Sequence, residues 1–192
     1  MKARLAILAT ICVAAVLSAC ADPTNLRATA FTTVDTLSVF ALTGTPPSYP
    51  SGVSIVAGQA VRVDGFANFD VALDIDASGR AVIYPVRLVV PSPNGSRPVG
   101  LQRVASGFEA VLEAPRTGYE TDDSFVVAPG ETIVIQAAHN ENGDICQFAL
   151  SPYLYAKIAV DSVSLASRTL YLRMGVDPNC GFRSFASGIP IS

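Results

Sequence analysis

The run Phe69-Asp70-Val71-Ala72-Leu73-Asp74-Ile75-Asp76 constrains the fold more than any other segment, because it alternates with period two. Successive side chains of a strand point to opposite faces. Phe69, Val71, Leu73 and Ile75 therefore share an apolar face, and Asp70, Asp74 and Asp76 share a polar one. That is the pattern of a half-buried strand. Ala77-Ser78-Gly79 supplies turn chemistry, and Arg80 to Val90 reads as a second strand with Val82, Tyr84, Val86 and Leu88 on one face. An even loop, Ser78-Gly79, sets Ile75 opposite Val82, Leu73 opposite Tyr84 and Arg87 opposite Asp70 on the wet face. A three-residue loop would set Leu73 opposite Ile83 and turn Val82 and Tyr84 to solvent. A one-residue slip exchanges the faces, so the even loop is the expectation. Pro85 cannot donate to a ladder, which marks an edge or a bulge.

The C-terminal third repeats the pattern. Leu154, Ala156, Ile158 and Val160 alternate with Tyr155, Lys157, Ala159 and Asp161. Beyond a polar bend at Ser164 to Arg168, Leu170, Leu172 and Met174 alternate with Tyr171 and Arg173, which makes a second hairpin. Further strand-like runs are Leu26–Thr33, Asp35–Leu42, Val53–Ala57, Ala60–Val63, Leu101–Ala105, Phe108–Glu113, Phe125–Val127 and Thr132–His139. Pro129-Gly130 and Asn142-Gly143 punctuate the later ones. No stretch after residue 20 carries a capped helical stripe. The expected fold class is all-β, an antiparallel β-sandwich of immunoglobulin-like or related type, with a closed β-barrel as the alternative. Residues 26–192 have the size of one domain. The loop Pro91–Val99, with Pro91, Pro93 and Pro98, is the one candidate boundary between two smaller units.

The N-terminus carries a different signal. Lys2 and Arg4 precede an apolar run from Leu5 to Val16, followed by Leu17-Ser18-Ala19-Cys20. A spanning helix needs about 20 apolar residues, and this run is shorter, so it reads as a signal peptide covering residues 1–19. Leu17 to Cys20 resembles the lipobox of bacterial lipoproteins. The resemblance covers residues 1–20 only. It implies cleavage before Cys20 and a diacylglycerol and fatty-acyl modification, such as palmitate, on Cys20. More than one acyl chain anchors stably. Ala21 after the cysteine is similar to the pattern sorted to the outer of two membranes. The implied location is the cell envelope, with a tether of residues 20–25 holding the domain close to the bilayer.

Composition narrows the partners. Thirteen Lys and Arg, two of them in the signal peptide, stand against sixteen Asp and Glu, and Lys157 is the one lysine of the mature part. A nucleic-acid binder should show a basic patch, so no nucleic acid is expected. Half of the residues are apolar, which argues against disorder. Cys12 leaves with the signal and Cys20 takes lipid. Cys146 and Cys180 remain, and in an oxidising compartment a disulfide between them is the expectation. Their wide spacing does not resemble a zinc site, and no metal or cofactor is expected.

Chemistry-bearing residues are few. Asp74-Ile75-Asp76-Ala77-Ser78-Gly79 matches the first half of an EF-hand loop, but Pro85 stands where the bidentate glutamate belongs. His139-Asn140-Glu141-Asn142-Gly143-Asp144 gathers the single histidine with two carboxylates, where a hairpin must turn. Glu120, Asp122 and Asp123 form an acidic loop, and Glu109 and Glu113 lie four apart on one face of an expected strand. Asn94-Gly95-Ser96 has the form of a glycosylation acceptor, of little weight in a bacterial chain. No G-x-S-x-G, H-E-x-x-H or Walker A motif occurs. The expectation is a non-enzymatic, membrane-anchored lipoprotein that binds an envelope partner or has a structural role, with no catalytic residues. The alternatives are a carrier of a small apolar ligand or lipid in a barrel, and an enzyme using His139 or a carboxylate pair. A filled core with an exposed apolar patch would favour the first.

Overall fold

A computed structural model describes residues 28–63, 69–90 and 97–190. Cys20, the tether, the start of the run at Leu26 and the Asn94-Gly95-Ser96 motif lie outside the described residues. The fold is an antiparallel β-sandwich of two five-stranded sheets. The strands are β1 (Thr33–Phe40), β2 (Gly52–Ser54), β3 (Gln59–Val61), β4 (Val71–Ile75), β5 (Ala81–Pro85), β6 (Val99–Val104), β7 (Phe125–Val127), β8 (Thr132–Ala138), β9 (Tyr153–Ser164) and β10 (Thr169–Asp177). One sheet has the order β1-β10-β9-β8-β6 and the other β3-β2-β4-β5-β7. Neither closes into a barrel. β1 pairs with β10 and β7 with β5, so strands from either side of residues 91–99 share both sheets.

The space between the sheets is filled by the alternating residues of the long strands. Leu73 and Ile83 from one sheet meet Ile135, Ile158, Leu172 and Met174 from the other, each at most 1% exposed. Fully burying a side chain of this kind contributes about 1.5–3 kcal/mol. The hairpin β9–β10 forms as the alternation predicts, with a bulge where Asp161 is the extra residue between Leu172↔Val160 and Tyr171↔Ser162.

The hairpin β4–β5 takes the odd register, not the even one. Leu73 pairs with Ile83 and Asp74 with Val82. The three-residue loop Ala77-Ser78-Gly79 ends on Gly79 at φ +79°, the left-handed position such loops require. Asp76 Oδ1 accepts the Ser78 and Arg80 amides at 2.8 and 2.9 Å and closes the turn. An even loop would be favoured only if the second face were wet. It is not: all five residues of β4 are buried, and Val82 is only 4% exposed. Arg87 does not face Asp70; it pairs with Asp122 at 2.7 Å. Pro85 ends β5, and Val86–Val89 form a single helical turn, α1, in place of further strand.

The outer face of the first sheet is also covered. Phe108–Glu113 is no strand; Phe108–Ala110 is a 3-10 turn laid over β9. Just after the turn, Val111 and Ala114 build a second small core with the C-terminal Phe185 on Val134 and Tyr155. Lys157, expected on a wet face, is 3% exposed beneath this cover. Its Nζ donates to Phe108 O at 2.7 Å and Val111 O at 2.9 Å and lies 4.3 Å from the Phe108 ring centroid. Gly175, opposite Lys157 on β10, leaves room for the lysine stem; a Cβ there would meet Lys157 Cε at 2.9 Å. Burial pushes the Lys157 ammonium below its ordinary pKa, with Glu109 opposing and Arg173 reinforcing the shift.

Cys146, in the β8–β9 connection, is joined to Cys180 after β10 by a disulfide, across 34 residues of sequence. In the chain-entropy account a loop of this length contributes about 3–4 kcal/mol. The double variant Cys146→Ser, Cys180→Ser is expected to lose that amount in urea unfolding, and reductant should then have no further effect on it.

Candidate functional site

The single histidine does not sit at a solvated turn. His139 follows β8 directly, is 2% exposed, and belongs to a buried cluster with Asp70 and Arg97. Backbone bonds hold it on both sides: its amide donates to Pro152 O at 2.7 Å, and its carbonyl accepts the Cys146 amide at 2.8 Å. Asp70, at the entrance to β4, is held as firmly. Its amide donates to Val53 O, its carbonyl accepts from Val86, and Oδ2 accepts the Ile55 amide at 2.7 Å.

Arg97 NH1 lies 2.6 Å from His139 Nδ1. A guanidinium can only donate. Nδ1 therefore accepts, and the ring carries its proton on Nε2. Nε2 stands 2.9 Å from Asp70 Oδ1, and Arg97 Nε stands 3.6 Å from the same oxygen. The Nε2–Oδ1 contact is close but poorly directed, so neither atom completes a hydrogen bond. The imidazole is thus wedged between a cation and an anion from two other segments of the chain.

One edge of the cluster opens into a cleft of about 340 Å³ lined by Ser54, Val56, Arg97, His139, Asp144 and Ile145. Ser54 Oγ accepts the Ala57 amide at 3.2 Å within its own turn. No serine hydroxyl or cysteine sulfur is hydrogen-bonded to the His139 ring among the described residues. Nucleophilic catalysis needs a nucleophile and a base within reach of each other, and this arrangement does not supply that pair. Asp144 lines the cleft, with Oδ2 accepting the Glu141 amide at 3.2 Å, while Glu141 stays exposed. Among the described residues no three His, Cys, Asp or Glu side chains converge as a metal site.

The other sequence candidates disperse. Asp74 is buried and turns away from any calcium loop: its carboxylate accepts from Thr43 Oγ1 at 2.9 and 3.0 Å and from Arg168 at 3.3 Å. Arg168 has φ +47° and is held there by donating to Thr43 O and Ile75 O as well. Glu109 pairs with Arg173 at 2.8 Å, Glu113 with Arg183, and Asp122 with Arg87. Glu120 serves through its backbone, exchanging both hydrogen bonds with Leu101 on the edge strand β6.

A third buried carboxylate lies three residues before the disulfide's Cys180. Asp177 is fully buried; Oδ1 accepts the Asn179 amide at 3.0 Å and its Nδ2 at 2.8 Å, and Oδ2 has no hydrogen-bond partner. Asn179 Oδ1 in turn accepts the amides of Thr29 and Ala30 at 2.9 and 3.0 Å, which fastens the N-terminal end of the domain to this end of the sandwich. No protein-family model matches the chain, and no curated protein matches it in sequence.

Asp70 and Asp177 can be tested by substitution. Asp70→Ala strips the Ile55 amide of its acceptor and leaves the part-buried Arg97 guanidinium and the His139 ring facing an apolar hole. Breaking a buried pair costs about 3–5 kcal/mol, and urea unfolding should show a loss of that order. A folded, near-normal variant would contradict a structural role. For Asp177, burial pushes the carboxyl above its ordinary value, against the bonds from Asn179 and the Ser184 backbone. A raised folded pKa means that stability falls as pH rises through it. Asp177→Asn should therefore be more stable than the parent at pH 7. The gap should close as pH drops toward about 4, the ordinary carboxylate range, as read from urea midpoints across that span.

Proposed function

We propose that this protein is a bacterial lipoprotein, anchored in the envelope through lipid on Cys20, whose β-sandwich acts by contact at its surface and not by catalysis. The observation that carries the reading is the combination of a filled interior with two apolar side chains in one loop that are more exposed than any other large apolar residue among those described. Phe69, Ile83, Ile135 and Leu172 close the space between the sheets, whereas Phe148 is 93% and Leu150 78% exposed in the β8–β9 connection. A large exposed apolar patch marks an interaction site. A carrier would instead need an enclosed apolar cavity of ligand size.

Two further observations support it. His139 has Nδ1 committed to Arg97 and Nε2 turned toward Asp70, so it is not poised as a general base. The lipobox resemblance at Leu17-Ser18-Ala19-Cys20 supports the anchor, and Ala21 favours the outer of two membranes. No helix among the described residues is long and apolar enough to cross a bilayer.

Cys20→Ser tests the anchor. The parent protein is expected in the membrane pellet of its host, resisting a high-salt wash, and the variant in the soluble fraction. A variant that stays in the washed pellet with its signal peptide removed, as read by mass, would overturn attachment through Cys20.

A further inference from the structure

The β8–β9 connection, residues 139–152, holds three outward apolar side chains: Ile145 at 54%, Phe148 at 93% and Leu150 at 78% exposure. They are carried on a braced loop. Cys146 is bound to Cys180, the Ala149 amide donates to Cys146 O at 3.1 Å, and Gln147 bonds Asn142 and the Gly143 amide. Leaving such side chains in water forgoes the stabilisation that burial would give, and the loop that carries them is tied to the rest of the fold at Cys146.

The chain enters the domain at the same end. Thr29 and Ala30, bound to Asn179, line a cleft of about 330 Å³ together with Ile145, Ala149 and Phe182. Cys20 is eight residues before Ala28. Eight residues reach at most about 29 Å even when fully extended. A lipid on Cys20 therefore keeps Ala28 within about 29 Å of a bilayer, and any protein partner would have to compete with that bilayer for the loop.

We infer that the loop bearing Ile145, Phe148 and Leu150 docks into the headgroup–acyl boundary of the membrane that holds the Cys20 lipid; this rests on the lipid-anchor reading above. The attraction is apolar and not electrostatic. The loop's charged residues are Glu141 and Asp144, and the mature chain has more acidic than basic residues, so the fitting surface is a neutral, zwitterionic one. Docking stands the sandwich on end. β9 runs twelve residues from Tyr153 beside the loop to Ser164, about 40 Å at strand rise, which places the β9–β10 turn with Leu165 at the far end from the bilayer.

The chain contains no tryptophan, so Phe148→Trp introduces a single reporter at a side chain that the core does not use. The mature protein carrying this change, purified from its host with whatever Cys20 bears, is mixed with phosphatidylcholine vesicles with and without bromine on the acyl chains, and its mass is measured. The expected result is blue-shifted emission from the loop reporter, quenched by the brominated lipid. A separate Leu165→Trp protein should keep water-like emission and escape quenching. A water-like, unquenched loop reporter in protein that floats with the vesicles overturns the docking, leaves the anchor standing and frees the loop for a protein partner. Protein that neither floats nor carries lipid by mass, with its loop reporter unquenched, overturns both. A quenched loop reporter without lipid on Cys20 supports docking and removes the anchor.

Discussion

Asp70 is the point on which the two sheets depend. One carboxylate, buried at 1% exposure, accepts the Ile55 amide behind β2 and faces His139 at the end of β8 and Arg97 just before β6. A buried charge is tolerated only where partners compensate its lost hydration. Asp70 is thus a fixed peg between the second sheet, through β2 and β4, and the first, through β6 and β8. His139 passes the constraint onward, since its carbonyl holds the Cys146 amide and so sets where the disulfide-braced loop begins.

The same principle operates on both outer faces. Asp74 under Arg168 and Thr43, Lys157 under the Phe108 turn, and Asp177 under Asn179 are each buried and each tied, directly or through that partner, to a segment distant in sequence. Loops 41–45, 105–114 and 181–186 are consequently part of the packed structure. The edge strand β6 is protected separately, because Glu120 exchanges both backbone hydrogen bonds with Leu101.

The apolar faces were legible in the sequence, because alternation reports directly on which side of a strand meets the core. The second face was not, and the errors share that cause. Asp70, Asp74 and Lys157 look like solvated residues when only one face is assumed to be covered. Some signal was present: Tyr155 and Ala159 flank Lys157 on its own face, and Val82 and Tyr84 fall on the face of Asp74 in the register that forms. Those apolar neighbours are what a covered outer face needs. The His139 cluster could not have been read, since Asp70 and Arg97 lie 69 and 42 residues away in a chain whose long-range contacts are set by topology. Phe108–Glu113 reads as a strand by composition but lies across the sheet, where it satisfies Lys157 with carbonyls that a ladder would have consumed.

In function, the packed interior and the occupied histidine direct attention to the surface, and the braced apolar loop lies where the chain departs toward Cys20. Native mass spectrometry of the protein extracted gently from its own host membranes, before and after reduction, tests the lipid-anchored, ligand-free reading most directly. The predicted species is a chain starting at Cys20 with its lipid, one disulfide that opens on reduction, and no bound small molecule. A stoichiometric small ligand, or a Cys20 without lipid, would contradict that reading.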